Sequence, residues 1–209
     1  MEKIQKMISE AWALFDDEKY EDARKLYHNC YETMSKDNLE TESSILMGLI
    51  YVEAFSKNYE LARNYAKKLI SITLNEDDRH IYLHQLGMVE RMAENYETAL
   101  AIFADEESII KTAFPNGYDK LSANMYEQGY INYKIGKFSV AKELMETAVI
   151  LAEQSDDPIC KACAYRGMGE TLSSLDFGDK AKTYYAKAIE EFRQAGDMKG
   201  AQEVEEIMK

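Results

Sequence analysis

The 209-residue chain has only two prolines and ten glycines, so it has few helix breakers and none of the bias of a disordered segment. It has three cysteines, an odd number, which excludes a disulfide framework and predicts a reducing, cytoplasmic setting. No apolar run approaches 18 residues, so no membrane span is expected. The opening stretch MEKIQKMISEAWALF carries charges throughout and reads as an amphipathic helix, not a signal peptide. Positive charge is also short: 25 basic residues stand against 38 acidic ones, a net charge of −13. That balance opposes nucleic acid or an anionic membrane as the main partner. No nucleophile elbow, phosphate loop or dinucleotide fingerprint occurs, and no acid–base pair stands out among the scattered carboxylates. The chain reads as a non-enzyme without a cofactor.

What it does have is 46% hydrophobic residues, 15 tyrosines and one repeated pattern. In Ile131 to Leu151, Gly136 breaks a helix and Phe138 opens the next. Ala141, Leu144, Met145 and Ala148 then recur along one face at three- and four-residue steps. The same unit is anchored at Ala23, Ala62, Ala99, Ala141 and Ala181, with gaps of 39, 37, 42 and 40 residues. Three residues before the anchors stand Tyr20, Tyr59, Tyr96 and Phe138, with Phe177 one place early in the fifth copy. Twelve before them stand Ala11, Ile50, Gly87, Gly129 and Gly169, where a small residue lets two helices approach. A period near 40 with two helices per unit is an α-solenoid signature.

At these residues the chain resembles the tetratricopeptide repeat (TPR) family in a long-period form. It departs at the position nine before the anchor, where the family usually has tyrosine and this chain has Leu14, Glu53, Glu90, Asn132 and Leu172. The resemblance implies an all-α, right-handed solenoid of five helical hairpins and a C-terminal capping helix. One domain over 1–209 is expected, with repeats near 4–37, 43–76, 80–113, 122–155 and 162–195 and a cap over 197–209. The helices are predicted at about 2–16 and 20–35, 40–56 and 59–74, 77–93 and 96–112, 119–135 and 138–154, and 158–175 and 178–195. Phe114 to Gly117 form an insertion between repeats. Asp157 and Pro158 supply an N-cap and a first-turn proline.

Several clusters are weighed for chemistry. His80 and His84 lie four apart on one helix, a spacing able to face a metal, but no third ligand follows and no metal is assigned. Asn75 to Asp78 lack the glycine and ligand spacing of a calcium loop and are read as a helix start. Cys160 and Cys163 form a C-x-x-C at a helix start, but no strand precedes them, so they are read as structural thiols; Cys30 is read as core.

The resemblance also implies that the residues 15, 11 and 8 before each anchor line a concave groove. These are Ile8, Trp12 and Phe15; Met47, Tyr51 and Ala54; His84, Met88 and Arg91; Tyr126, Tyr130 and Tyr133; and Arg166, Glu170 and Ser173, with Phe55 and Met92 beside them. Other positions serve the core: Met7, Leu46, Leu83, Met125 and Tyr165, and Ala13, Val52, Val89, Ile131 and Thr171. The aromatic and methionine stripe is therefore surplus to folding, and such surplus marks an interaction surface. Trp12, Tyr51, Met88, Tyr130 and Glu170 replace the lysines and asparagines of a TPR carboxylate clamp, so apolar anchors are expected. Arg91, Lys134 and Arg166 would orient the ligand. The reading is a groove for a peptide or helical segment of a protein partner. Two alternatives stand beside it: a homodimeric scaffold, and a sensor domain like those of bacterial peptide-pheromone regulators, without their DNA-binding part.

Overall fold

The computed structural model describes residues 2–35, 38–73 and 75–208, and among them it has eleven α-helices and no strand. They are α1 (Glu2–Asp16), α2 (Tyr20–Thr33), α3 (Leu39–Phe55), α4 (Tyr59–Ile72), α5 (Glu76–Met92), α6 (Tyr96–Ala113), α7 (Tyr118–Lys134), α8 (Phe138–Ala152), α9 (Pro158–Ser174), α10 (Gly178–Gln194) and α11 (Met198–Ile207). These are the hairpin helices that the periodicity predicts. The expected repeat end at 37 and cap end at 209 lie outside the described residues. By their packing the helices form two units, divided inside α6 between Ile102 and Phe103.

One turn recurs six times. Glu18, Lys57, Glu94, Gly136, Asp176 and Gly196 all have positive φ, between 61° and 80°. At each turn the next N–H reaches back five residues. Lys19, Asn58, Asn95, Lys137, Phe177 and Asp197 donate to the carbonyls of Leu14, Glu53, Glu90, Asn132, Leu172 and Phe192 at 2.8–3.0 Å. This left-handed residue with its backward bond is a Schellman closure, which satisfies helix-end carbonyls and reverses the chain. It holds each anchoring alanine at a fixed distance from its turn, while the links between hairpins let the period itself vary. The sixth copy leads to Ala201, so α11 is entered as the second helix of a hairpin is entered.

After such a turn α2, α4, α8 and α10 start without a side-chain cap, whereas the Asp197 carboxylate accepts from the Gly200 N–H at the start of α11. Of the helices entered from longer links, α7 starts at Gly117 without a side-chain cap and three others are capped by side chains. Asn38, Asn75 and Asp157 accept from backbone N–H groups at the starts of α3, α5 and α9 at 2.8–3.2 Å.

In unit 1 the core forms two clusters. Ala11, Ala23, Tyr27, Ile45, Leu49 and Val52 join α1, α2 and α3. Leu46, Ile50, Ala62, Leu69, Tyr82 and Val89 join α3, α4 and α5. Two buried ion pairs tie hairpin to hairpin. Arg24 donates through Nε and Nη2 to Glu53 at 2.6 and 3.1 Å, and Arg63 does the same to Glu90 at 2.6 and 2.9 Å. Asn58 and Asn95 each complete the set by donating to the same glutamates at 2.8 Å. Two of the departures nine before the anchor, Glu53 and Glu90, are thus acceptors for the arginine one place after the preceding anchor.

In unit 2 one cluster runs from Met125 through Met145, Tyr165, Met168 and Tyr185 to Ala201 and Val204 of α11. The close approaches expected at Gly129 and Gly169 are present: an added Cβ would fall 3.1 Å from Met145 and 2.6 Å from Tyr185. Two of the expected core positions differ. Ala13 is exposed and Met7 only half-buried, because the side of α1 that matches the α2-facing side of α3 is open to solvent.

Candidate functional site

None of the stripe residues on the first helices is fully buried, except Ala54. Their backs carry the core, and Ile8, Phe15, Met47, Met92, Tyr126 and Tyr130 also pack partly against it.

In unit 1, α1 and α3 bring the expected residues together. Trp12 lies 5.3 Å from Phe15 and 5.4 Å from Tyr51, the latter edge-on. Phe15 lies 5.9 Å from Tyr51 and 5.2 Å from Phe55. Tyr20 joins them, 5.6 Å from Phe15 and 6.3 Å from Phe55. These tilted and edge-to-face contacts are favoured ring geometries. Trp12 remains 41% exposed and Phe55 46%, more than a folding contact requires. Beside the rings a cleft of about 420 Å³ is lined by Ile8, Ser9, Trp12, Tyr27, Ser44, Met47 and Gly48. On α5, His84, Met88, Arg91 and Met92 are partly exposed, and Met92 packs on the neighbouring core.

In unit 2, Tyr126, Tyr130 and Tyr133 form a row along α7. Their rings are 6.0 Å and 6.2 Å apart, and Phe138 extends the row at 5.7 Å from Tyr133. Lys134 holds its ammonium 5.5 Å from the Tyr130 ring centroid. Burial raises the Tyr126 phenol pKa well above its ordinary value, so the ring presents a neutral hydroxyl. Arg166 donates to Glu170 on its own helix and to Glu203 on α11, each at 3.0 Å. The terminal helix therefore reaches the predicted face and engages one of its expected orienting charges.

Three participants were not foreseen. Tyr20 and Phe138 sit at the repeat's aromatic position, read as hairpin packing, and the turn folds each back onto the stripe. Glu203 lies on a helix read only as a cap. The signal for the first two was present in their half-apolar context just beyond the turn.

The cysteines behave as structural thiols. Asp157 caps α9 and so occupies the helix start that would stabilise a Cys160 thiolate. Burial raises the Cys160 thiol and pushes Cys163 up to about 12. Cys30 is fully buried. Among the described residues, no three His, Cys, Asp or Glu side chains gather to hold a metal ion, and no helix is long and apolar enough to cross a membrane.

No family model matches this chain, and no curated protein sequence matches it. Solved structures do match. Aspartyl phosphate phosphatase F of Bacillus subtilis is 16% identical and superposes with a TM-score of 0.78 over 95% of this chain and 53% of that one. PlcR of Bacillus thuringiensis, solved in complex with the peptide PapR7 and DNA, is 13% identical with a TM-score of 0.75 over 97% of this chain and 74% of that one. A putative kinesin light chain of Podosopora anserina with nearly identical TPR-like repeats is 11% identical, with a TM-score of 0.62 over 92% and 96%. At these identities the likeness establishes the fold, which is that of TPR-like helical repeats.

Proposed function

We propose that this protein is a non-enzymatic binding module that takes a peptide segment of a partner on the stripe of its first helices. The observation that carries the reading is the ring cluster of unit 1, gathered by two helices yet leaving Trp12 and Phe55 nearly half exposed. Aromatic anchors of this kind dominate peptide interfaces. The tyrosine row of unit 2 adds a second face, amphipathic rather than apolar. That PlcR, of the same fold, was solved with a peptide supports the class of ligand. The match to the phosphatase covers about half of that protein, so its named activity is not carried over. The net charge of −13 favours a protein partner over a polyanion and accords with a cytoplasmic protein.

A displayed random-peptide library selected against the purified protein tests this. Trp12 is the only tryptophan, so bound peptides should shift its emission to the blue. Trp12→Ala with Tyr51→Ala should weaken the selected peptides at least about tenfold, the loss of one well-packed anchor. Selected peptides that leave Trp12 emission unchanged and bind this variant and a Tyr130→Ala, Tyr133→Ala variant as well as wild type would overturn the reading.

A further inference from the structure

We propose that the ring face of unit 1 takes an arginine of the bound segment, stacked on Trp12 and paired with the Asp16 carboxylate. The proposal rests on the peptide-binding reading and gives the partner its charge. The three most exposed aromatic side chains among the described residues are Trp12 at 41%, Phe55 at 46% and Phe177 at 47%. The chain covers Phe177 with its own cation, the Lys180 ammonium, 5.5 Å from the ring centroid. It does the same at Tyr31 with Lys68 and at Tyr165 with Lys187, at 4.7 and 4.8 Å. Among the described residues no lysine or arginine lies over Trp12 or Phe55. Indole attracts a cation more strongly than the other aromatic rings, so the best such surface is one the chain does not cover itself.

Asp16 sets a carboxylate beside that ring. It lies four residues after Trp12 at the end of α1, one turn further along the same helix face. Asp16 is exposed and without an ion pair among the described residues, whereas its neighbour Asp17 is held by Lys19 at 2.8 Å. An acid at a helix C-terminus opposes the dipole, and the last turn of α1 has no basic residue to offset it. Folding therefore gives no reason for Asp16. Its charge also reaches the cleft beside Trp12. The floor of that cleft is Tyr27, which arrives from α2 because α3 carries Gly48 there; a Cβ at Gly48 would collide with the Tyr27 ring. Burial first, then Cys30 and Asp16, raise the Tyr27 phenol to about 12. The cleft itself is lined by no charged side chain. The complement is a side chain with an apolar stem for the cleft and a planar cationic head for the indole and the carboxylate. Arginine has both, since its guanidinium stacks on aromatic faces and donates two parallel bonds to a carboxylate. Lysine offers a compact, strongly hydrated charge that does not stack. The net charge of −13 adds a general attraction for a basic segment.

The test uses the peptide acetyl-Leu-Arg-Leu-Arg-Leu-amide and its counterparts with lysine or with citrulline, the neutral isostere of arginine, titrated into ¹⁵N-labelled protein. The single tryptophan gives one indole N–H resonance, which reports on the site. The arginine peptide should move it and bind about three- to tenfold more tightly than either counterpart, the effect of one stacked and paired cation. Asp16→Asn should weaken the arginine peptide about threefold, as loss of an exposed ion pair does, and leave the citrulline peptide unchanged. Asp179→Asn, which neutralises an exposed acid of α10, should have no effect. Trp12→Leu keeps an apolar residue without a π face, and backbone resonances should then show the preference for arginine over lysine gone. An arginine peptide bound no better than either counterpart, equal losses in Asp16→Asn and Asp179→Asn, or an unmoved indole resonance would overturn the proposal. Library peptides that lack arginine and bind Asp16→Asn as tightly as wild type would remove the arginine site and leave the peptide-binding reading intact. An arginine preference in a protein that selects no library peptide would do the reverse.

Discussion

The two units use one turn and one anchoring alanine, but they join their hairpins with different chemistry. In unit 1 the link is a buried arginine–glutamate–asparagine set, made twice at the same repeat positions, by Arg24, Glu53 and Asn58 and by Arg63, Glu90 and Asn95. In unit 2 those positions hold Lys142, which pairs with Glu146 on its own helix at 2.5 Å, and Leu172, which is buried in the core. There the contact between hairpins is Met145 against Gly167, while the Ser122 hydroxyl donates to the Ala148 carbonyl at 2.8 Å within its own hairpin. The backbone turn and the alanine define the hairpin. What lies between hairpins is free to vary, provided that each buried polar group finds its partner.

The difference is broken most sharply by removing half of an ion pair. Glu53→Ala leaves Arg24 with Glu21 as its remaining carboxylate and takes the acceptor from Asn58, and should cost up to about 3–5 kcal/mol. Replacing both partners, Arg24→Met with Glu53→Leu, should recover most of that loss, since buried pairs contribute little over well-packed apolar residues. Urea unfolding of the two variants checks both figures. In unit 2, Lys142→Ala should change stability by less than about 0.5 kcal/mol, the scale of an exposed helical pair. A large loss there would mean that the units share one kind of link after all.

The candidate faces differ in the same sense, one apolar and one amphipathic. Tyr130→Ala with Tyr133→Ala should weaken a bound peptide by at least about tenfold, or about 1.4 kcal/mol, with only a small drop in melting temperature. Calorimetric titration of a selected peptide and a thermal melt measure the two effects. A double variant that unfolds would show the tyrosine row to be core.

Acid should weaken both units next. The Glu90 carboxyl is held below its ordinary pKa chiefly by the hydrogen bonds from Arg63, against the opposing effect of burial. Glu42 is lowered in the same way by Lys68. A carboxyl with a depressed folded-state pKa contributes stability that is complete above its unfolded pKa and lost as pH falls through the folded value. Unit 1 should therefore loosen below about pH 4, the ordinary carboxylate range. Unit 2 also holds two carboxyls lowered against the effect of burial, Glu107 hydrogen-bonded by Lys111 and Asp119 by Lys120. The emission of Trp12, the only tryptophan, and the overall helix signal should therefore both change below about pH 4. Signals unchanged down to about pH 2 would show that these pairs do not govern acid stability.

Much of this was legible in the residues. The anchor spacing and the helices follow from apolar periodicity and from Gly136, Gly196, Asp157 and Pro158. The stripe reads in the sequence as apolar residues without a folding duty, yet Ile8, Phe15, Met47, Tyr126 and Tyr130 also pack against the core clusters. The ion pairs were not. Glu53 and Glu90 read as departures from a tyrosine position, and their partners lie 29 and 27 residues upstream, on a different hairpin. Their trace is two copies of an arginine one place after an anchor and a glutamate nine before the next, which an apolar periodicity does not register. Gly48 was equally silent, because its effect is carried by Tyr27 on another helix. Ala13 was misplaced because repeat averaging assumes a neighbour on both sides.

The smallest expected effect lies in the turns, where the units differ again. Unit 1 puts Glu18, Lys57 and Glu94 in the left-handed region, while unit 2 uses Gly136 and Gly196 there with only Asp176 as a side-chain-bearing residue. An L-residue with a Cβ pays roughly 1–2 kcal/mol in this conformation, and glycine avoids it at an entropic cost of about 0.5–1 kcal/mol in the unfolded chain. Lys57→Gly should therefore stabilise the protein by about 0.5 kcal/mol, and Glu94→Gly by a similar amount. Both side chains are exposed, so little packing is lost with them. Gly136→Ala should destabilise by about 0.5–1 kcal/mol for the same reason with the sign reversed. Nothing lies within 4 Å of a Cβ at Gly136, so the conformation alone is tested. Thermal melts of the three variants measure the set. A Gly136→Ala variant as stable as wild type would show that the turn relaxes out of the left-handed region, and the six-fold recurrence would then not explain the fixed spacing from turn to alanine.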